Sequence, residues 1–117
     1  MARTVLIVDD HPSFRASARH VLEDGGFVVI GEAQDGASGL AAASALRPAV
    51  VLLDVQLPDV DGFEVAASLA RQDGGPAVVL TSSRDRSEFG GMVARSGARG
   101  FVAKDELSGP ALEALLS

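Results

Sequence analysis

Apolar residues recur along the chain in two rhythms. Short runs, Val5-Leu6-Ile7-Val8, Val28-Val29-Ile30, Val50-Val51-Leu52-Leu53, Ala77-Val78-Val79-Leu80 and Phe101-Val102-Ala103, alternate with Ala/Leu segments of helical period. The first, third and fourth runs are apolar without alternation, as strands are when a parallel sheet is covered by helices on both faces. Between the runs, apolar spacing of three and four residues predicts helices. One stripe is Phe14, Ala18, Val21 and Leu22; a second is Leu40, Ala43 and Leu46, stopped by Pro48. Phe63, Ala66, Ala67 and Ala70 form a third, Phe89, Met92, Val93 and Ser96 a fourth, and Ala111, Leu112, Leu115 and Leu116 close the chain.

The punctuation agrees. Pro12 suits a first helical turn, and Asp61 with Glu64 three residues on has the spacing of a capping box. Gly25-Gly26 and Gly74-Gly75-Pro76 end helices, and Gly109-Pro110 opens the last one. The fourth helix is the weakest, because Gly90-Gly91 cost about 1 kcal/mol each relative to Ala in a helix interior. The chain therefore reads as (βα)5. Right-handed crossovers turn that pattern into a doubly wound α/β sandwich. For five parallel strands the flavodoxin-like order 2-1-3-4-5 is expected, with its switch point between the first and third strands. With 117 residues and no linker, repeat or low-complexity tract, residues 1–117 are expected to form one domain.

In such a sheet, ligands sit beyond the carboxyl ends of the strands, at the switch point. Asp9 and Asp10 follow the first strand, Asp54 ends the third, Thr81-Ser82-Ser83 follow the fourth and Lys104-Asp105 the fifth. Lys104 is the single Lys among ten basic residues. Three carboxylates at one place repel one another, and a hard divalent cation resolves that conflict. Mg2+ takes oxygen ligands, commonly carboxylates together with phosphate oxygens, and the Thr81 hydroxyl and Lys104 ammonium suit a phosphoryl group beside it. The site reads as Mg2+ plus phosphoryl, with one carboxylate as nucleophile. Taken singly, each residue has an ordinary role. An Asp pair after a strand caps a helix, a strand-terminal Asp makes a turn, a Thr bonds a loop amide and a Lys snorkels. Convergence at four strand ends favours the chemical reading.

Composition removes other classes. With 16 acidic against 10 basic residues the net charge is −6, which leaves no dense cationic patch for nucleic acid. Without Cys there are no disulfides, thiolate metal sites or cysteine nucleophiles. The longest apolar runs are too short to span a bilayer, and Met1-Ala2-Arg3-Thr4 begins no signal peptide, so a cytoplasmic protein without membrane partners is expected.

Val8-Asp9-Asp10, the stretch Leu53-Asp54-Val55-Gln56-Leu57-Pro58-Asp59-Val60-Asp61-Gly62, Thr81 and Lys104 together resemble the receiver domain of two-component response regulators, over essentially the whole chain. The resemblance implies that Asp54 accepts the phosphoryl group. It implies that Asp10 and Asp54 bind Mg2+ directly, that Asp9 acts through coordinated water, and that the Gln56 backbone carbonyl completes the protein ligands. Thr81 and Lys104 would hold phosphoryl oxygens. Thr81 and the fifth-strand aromatic, here Phe101 without a hydroxyl, would form the switch. A histidine kinase would supply the phosphoryl group. The fourth helix, fifth strand and last helix would contact an output domain, a partner protein or, after phosphorylation, a second copy.

Asp9-Asp10-His11-Pro12-Ser13-Phe14-Arg15 and Lys104-Asp105 are similar to NarL/LuxR-type regulators, which carry a C-terminal helix-turn-helix domain. The chain is thus expected to be a receiver cut from a longer transcription regulator; a stand-alone receiver acting by protein–protein interaction is the alternative. Its only catalysis would be its own phosphorylation and dephosphorylation. A Mg2+-dependent aspartyl phosphatase fits less well, since those enzymes usually place an acid two residues beyond the nucleophile. A flavin- or nucleotide-binding protein fits less well too, since its first loop is rich in Ser, Thr or Gly. Because Mg2+ prefers oxygen, His11 reads as a helix-opening or solvated residue. His20, Arg84 and Arg86 read as solvated, and Asp59 and Asp61 as turn and cap residues.

Overall fold

Each of the five apolar runs is a strand in the computed structural model, which describes residues 2–117. The elements are β1 (Thr4–Val8), α1 (Pro12–Asp24), β2 (Val28–Ala33), α2 (Gly36–Leu46), β3 (Val50–Asp54), α3 (Gly62–Ala70), β4 (Ala77–Ser82), α4 (Met92–Arg95), β5 (Gly100–Ala103) and α5 (Gly109–Leu116). Single 3-10 turns cover Arg86–Phe89 and Lys104–Glu106. All strand pairs are parallel and the order is β2-β1-β3-β4-β5, so β1 and β3 lie side by side where the winding reverses.

Strand alternation divides the core into two layers. Leu6, Val8, Val51, Leu53, Val78 and Leu80 face one side and pack with Val65, Ala66 and Leu69 of α3 and Val93 of α4. Val5, Ile7, Val50, Leu52, Val79 and Val102 face the other, against Ala18 and Leu22 of α1 and Leu112 and Leu116 of α5. Except for Thr4 at the start of β1 and Asp54, Thr81 and Ser82 at the ends of β3 and β4, strands β1, β3 and β4 are apolar, because helices cover both faces. Full burial of each such side chain stabilises the fold by about 1.5–3 kcal/mol, which fixes the register.

Several helix details depart from the apolar stripes. Val65 and Leu69 join the buried face of α3, whereas Ala70 is exposed. In α2 the buried face is Gly36, Gly39 and Ala43, and Leu46 is 43% exposed. Small residues let that helix lie close on β1, where Val8 side-chain atoms leave no room for a Cβ on Gly39. Asp61 caps α3 by accepting the Phe63 N–H at 2.7 Å, without the reciprocal Glu64 bond. Reciprocal boxes occur instead at Asp35–Ser38, before α2, and Asp85–Glu88, before the 3-10 turn. The fourth helix is broken, as its glycines imply. Gly90 adopts a positive φ of +57°, which is costly for residues with a Cβ, and leaves α4 one turn long.

Candidate functional site

The parallel register brings the polar strand ends to one edge of the sheet: Val8 pairs with Leu53, Asp54 with Thr81, and Thr81 with Val102. Asp9 is fully buried and Asp54 is 3% exposed, while Asp10 is partly exposed. Oxygens of these three carboxylates and a ring nitrogen of His11 lie within 4.8 Å of one another. Lys104 Nζ, at the start of the 3-10 turn after β5, reaches between them, 2.7 Å from Asp9 Oδ2 and 3.1 Å from Asp54 Oδ2. It also stands 4.5 Å from the centroid of the Phe14 ring, a cation–π contact.

The two buried acids are held differently. Burial works against ionising Asp9, but the Lys104 ammonium at 2.7 Å and the hydrogen bond from the His11 N–H outweigh it and hold this carboxyl below its usual range. For Asp54 burial prevails and the Asp9 charge adds to it. The Gln56 N–H at 3.0 Å and Lys104 offset only part, so the Asp54 carboxyl lies above its usual range. Burial also works against charging Lys104, yet the two carboxylates hold its pKa up. One ammonium thus serves two buried anions, and the cluster still has room for positive charge. Asp9 Oδ2 makes only the ion pair with Lys104, without hydrogen-bond alignment, and the buried Asp10 Oδ1 has no hydrogen bond at all. Clustered carboxylate oxygens of this kind fit a hard divalent cation.

The structure places the other expected residues less uniformly. The Gln56 backbone N–H faces Asp54, and the residue forms an isolated bridge with Asp61, which ties down the loop after β3. Thr81 is fully buried, and its hydroxyl donates to the Val102 carbonyl at 2.7 Å, so it is bonded to β5 instead of the acids. Phe101 is half-buried and lies 5.9 Å from Phe89, whose ring meets Phe63 of α3 edge-on at 5.7 Å. His20, Arg84 and Arg86 are exposed.

Two residues do more than their spacing suggested. Asp59 accepts the Gly36 and Ala37 N–H groups at 2.8 and 3.0 Å, capping α2 from the loop after β3. Those bonds lower its pKa, and no one-dimensional spacing of 23 residues signals them. His11 opens α1, as expected, but its ring folds back over the carboxylates.

The response regulator receiver domain family matches residues 5–115. The chain is 41% identical to BvgA of Bordetella pertussis over 106 residues, covering 91% of this chain and 51% of BvgA. It is 31% identical to the DNA-binding transcriptional activator EvgA of Escherichia coli K12 over 101 residues, 86% of this chain and 50% of EvgA. The signal receiver domain of NarL from Mycobacterium tuberculosis superposes with a TM-score of 0.88 at 34% identity, over 99% of this chain and 98% of that one. The chain spans about half the length of the curated relatives it matches.

Proposed function

The chain belongs to the response regulator receiver domain family, and on that premise we propose that Asp54 accepts a phosphoryl group from the phosphohistidine of a sensor kinase. The observation that carries this reading is the pairing of Asp54, a buried carboxylate at the end of the central strand, with Lys104 at 3.1 Å. A carboxylate oxygen of Asp54 forms a bond to phosphorus as the donor's P–N bond breaks, and the histidine leaves with its electron pair. Phosphoryl transfer depends on positioning and charge neutralisation more than on covalent chemistry, and the site is built for both. The Gln56 N–H fixes one oxygen of Asp54, and Lys104 faces the other. When the phosphoryl group arrives, Lys104 is the cation that meets its oxygens, and Thr81 donates its hydroxyl to them once released from Val102. Mg2+, held by Asp10, Asp54 and the Gln56 carbonyl, with Asp9 acting through water, would supply the remaining neutralisation. Incubation with acetyl phosphate and Mg2+ should add about 80 Da, one phosphoryl group, in an acid-labile form. No mass gain would refute the reading.

Two further results are expected. Mg2+ at millimolar concentration should raise the melting temperature, because a ligand bound only by the folded form stabilises it, and Asp10→Asn should lose much of that gain. A melt indifferent to Mg2+ would contradict the metal assignment. Phosphorylation should also change the face formed by Arg86–Phe89, α4, β5 and α5. Moving the Thr81 hydroxyl frees the Val102 carbonyl and opens space beside Phe101, and the break at Gly90 leaves little helix to disrupt. Phe101 gains no hydroxyl hydrogen bond in either position, so a modest shift between two populated states is expected. Amide exchange over residues 84–104 should change when a beryllofluoride mimic and Mg2+ bind. Protection confined to the Asp54 loop would overturn this. That face is also where an output domain or second copy would dock, and transcriptional control through a further domain follows the pattern of the relatives. Among the described residues no helix is long and apolar enough to cross a membrane.

A further inference from the structure

His11 changes which cations the acidic site can accept. Its Nδ1 lies 2.9 Å from Asp9 Oδ1 and 3.2 Å from Asp10 Oδ1, but 3.9 Å from Asp54 Oδ2. Metal–ligand distances of about 2.0–2.1 Å put neighbouring donors about 3.0 Å apart in an octahedron and about 3.4 Å in a tetrahedron. The distances from Nδ1 to the Asp9 and Asp10 oxygens match that spacing, and the one to Asp54 exceeds it. Of these atoms the buried Asp10 Oδ1 has no hydrogen bond and faces Nδ1, whereas Asp9 Oδ1 accepts the His11 N–H, Asp9 Oδ2 pairs with Lys104 at 2.7 Å, and Lys104 Nζ stands 3.5 Å from Nδ1. The ring is held there by the backbone, because the His11 N–H donates to Asp9 Oδ1 at 2.8 Å while His11 opens α1. The imidazole therefore sits in place before any ion arrives.

Mg2+ gains little from such a nitrogen, whereas Zn2+ and its neighbours late in the first transition row bind imidazole well. We infer that His11, Asp9 and Asp10 form a mixed nitrogen–oxygen site that favours Zn2+-class cations over Mg2+, displaced from Asp54 toward the start of α1. The inference rests on the proposed Mg2+ reading of the carboxylates and adds selectivity to it. An ion held there engages Asp9 and Asp10 without requiring Asp54, so it competes with Mg2+ for shared ligands.

The test compares the wild-type chain with His11→Gln and, as control, His20→Gln, whose histidine is exposed on α1. Zn2+ affinity is read by competition with a chromophoric chelator and Mg2+ affinity by the shift in melting temperature, with the fold checked by circular dichroism in EDTA. His11→Gln should weaken Zn2+ binding at least about tenfold, the scale on which even indirect metal partners act. It should leave Mg2+ affinity within about twofold, and His20→Gln should change neither. Zn2+, and not Mg2+, should shift the 15N resonance of His11 Nδ1. Equal Zn2+ affinity in wild type and His11→Gln, with Mg2+ still bound, overturns the inference alone. Loss of Zn2+ and Mg2+ binding to the same extent in His11→Gln also overturns it, since the residue then acts on the site's shape. Failure of the wild-type chain to bind either ion removes the Mg2+ reading with it.

Discussion

Asp54→Asn should abolish the mass gain from acetyl phosphate while making the metal-free protein more stable at neutral pH. The first effect follows from chemistry. The amide preserves shape but offers no anionic oxygen to phosphorus, and no other acid at the strand ends has both a central-strand position and a direct contact with Lys104 except Asp9. Asp9 lies deeper, at 0% exposure, with one oxygen committed to the His11 N–H. Labelling should fall to background, and equal labelling of the Asn variant would refute the assignment. The second effect follows from linkage. Burial and the Asp9 charge raise the Asp54 pKa above its unfolded value. The stability this group contributes is therefore complete below the unfolded pKa, near 3.9, and is lost as pH rises through the higher folded value. At neutral pH the ionised group opposes folding, and the amide removes that opposition. In EDTA the variant should therefore melt above wild type at neutral pH. The advantage should vanish as pH falls below about 4, where Asp54 is neutral in both states. A lower melting temperature for Asp54→Asn at neutral pH would show that its pairing with Lys104 outweighs burial.

How much of this was legible in the sequence depends on how local the cause is. β1, β3 and β4 were readable because burial on both faces leaves unbroken apolar runs, such as Val50-Val51-Leu52-Leu53. The strand order was expected from the flavodoxin-like winding of five parallel strands, and it placed Asp9, Asp10, Asp54 and Lys104 together, as the structure does. Helix faces were read less well. In α3 Ala carries little apolar weight, so the stripe through Ala67 and Ala70 competed evenly with the true one through Val65 and Leu69. In α2 the contact surface is glycine, which gives no hydrophobic signal. Individual hydrogen bonds between elements were not readable. The Thr81 hydroxyl was expected near the acids, yet it bonds the Val102 carbonyl of the adjacent strand, and only the register between β4 and β5 determines that. His11 was discounted on chemical grounds that hold for Mg2+, while its backbone bond to Asp9 directs the ring into the cluster.

Gly62→Ala should be among the most damaging single-methyl changes in the chain, although Gly62 has no need of an unusual backbone conformation. It is not among the glycines with positive φ. The constraint is space. A Cβ there would collide with the Asp54 carbonyl oxygen and stand 2.7 Å from Val55 Cα and 2.8 Å from the Val55 carbonyl oxygen. All three are backbone atoms, fixed by the Val55 N–H bond to Thr81 at 3.0 Å and the Gly62 N–H bond to Val55 at 2.8 Å. No flexible side chain can swing aside, so either α3 lifts from β3 or the strand end carrying Asp54 moves. Overpacking a rigid site costs about 1–3 kcal/mol, and backbone neighbours place this one at about 3 kcal/mol or more. Gly26→Ala makes the comparison: there φ is +92° but nothing lies within 4 Å, so only local backbone strain opposes the change, about 1–2 kcal/mol. Urea unfolding should rank Gly62→Ala well below Gly26→Ala in stability. Under conditions where both stay folded, only Gly62→Ala should slow phosphoryl labelling, because its clash is with the residue that carries the nucleophile. Equal stability losses would mean that α3 moves freely over the end of β3, and normal labelling in a destabilised Gly62→Ala would mean that the helix yields and Asp54 does not.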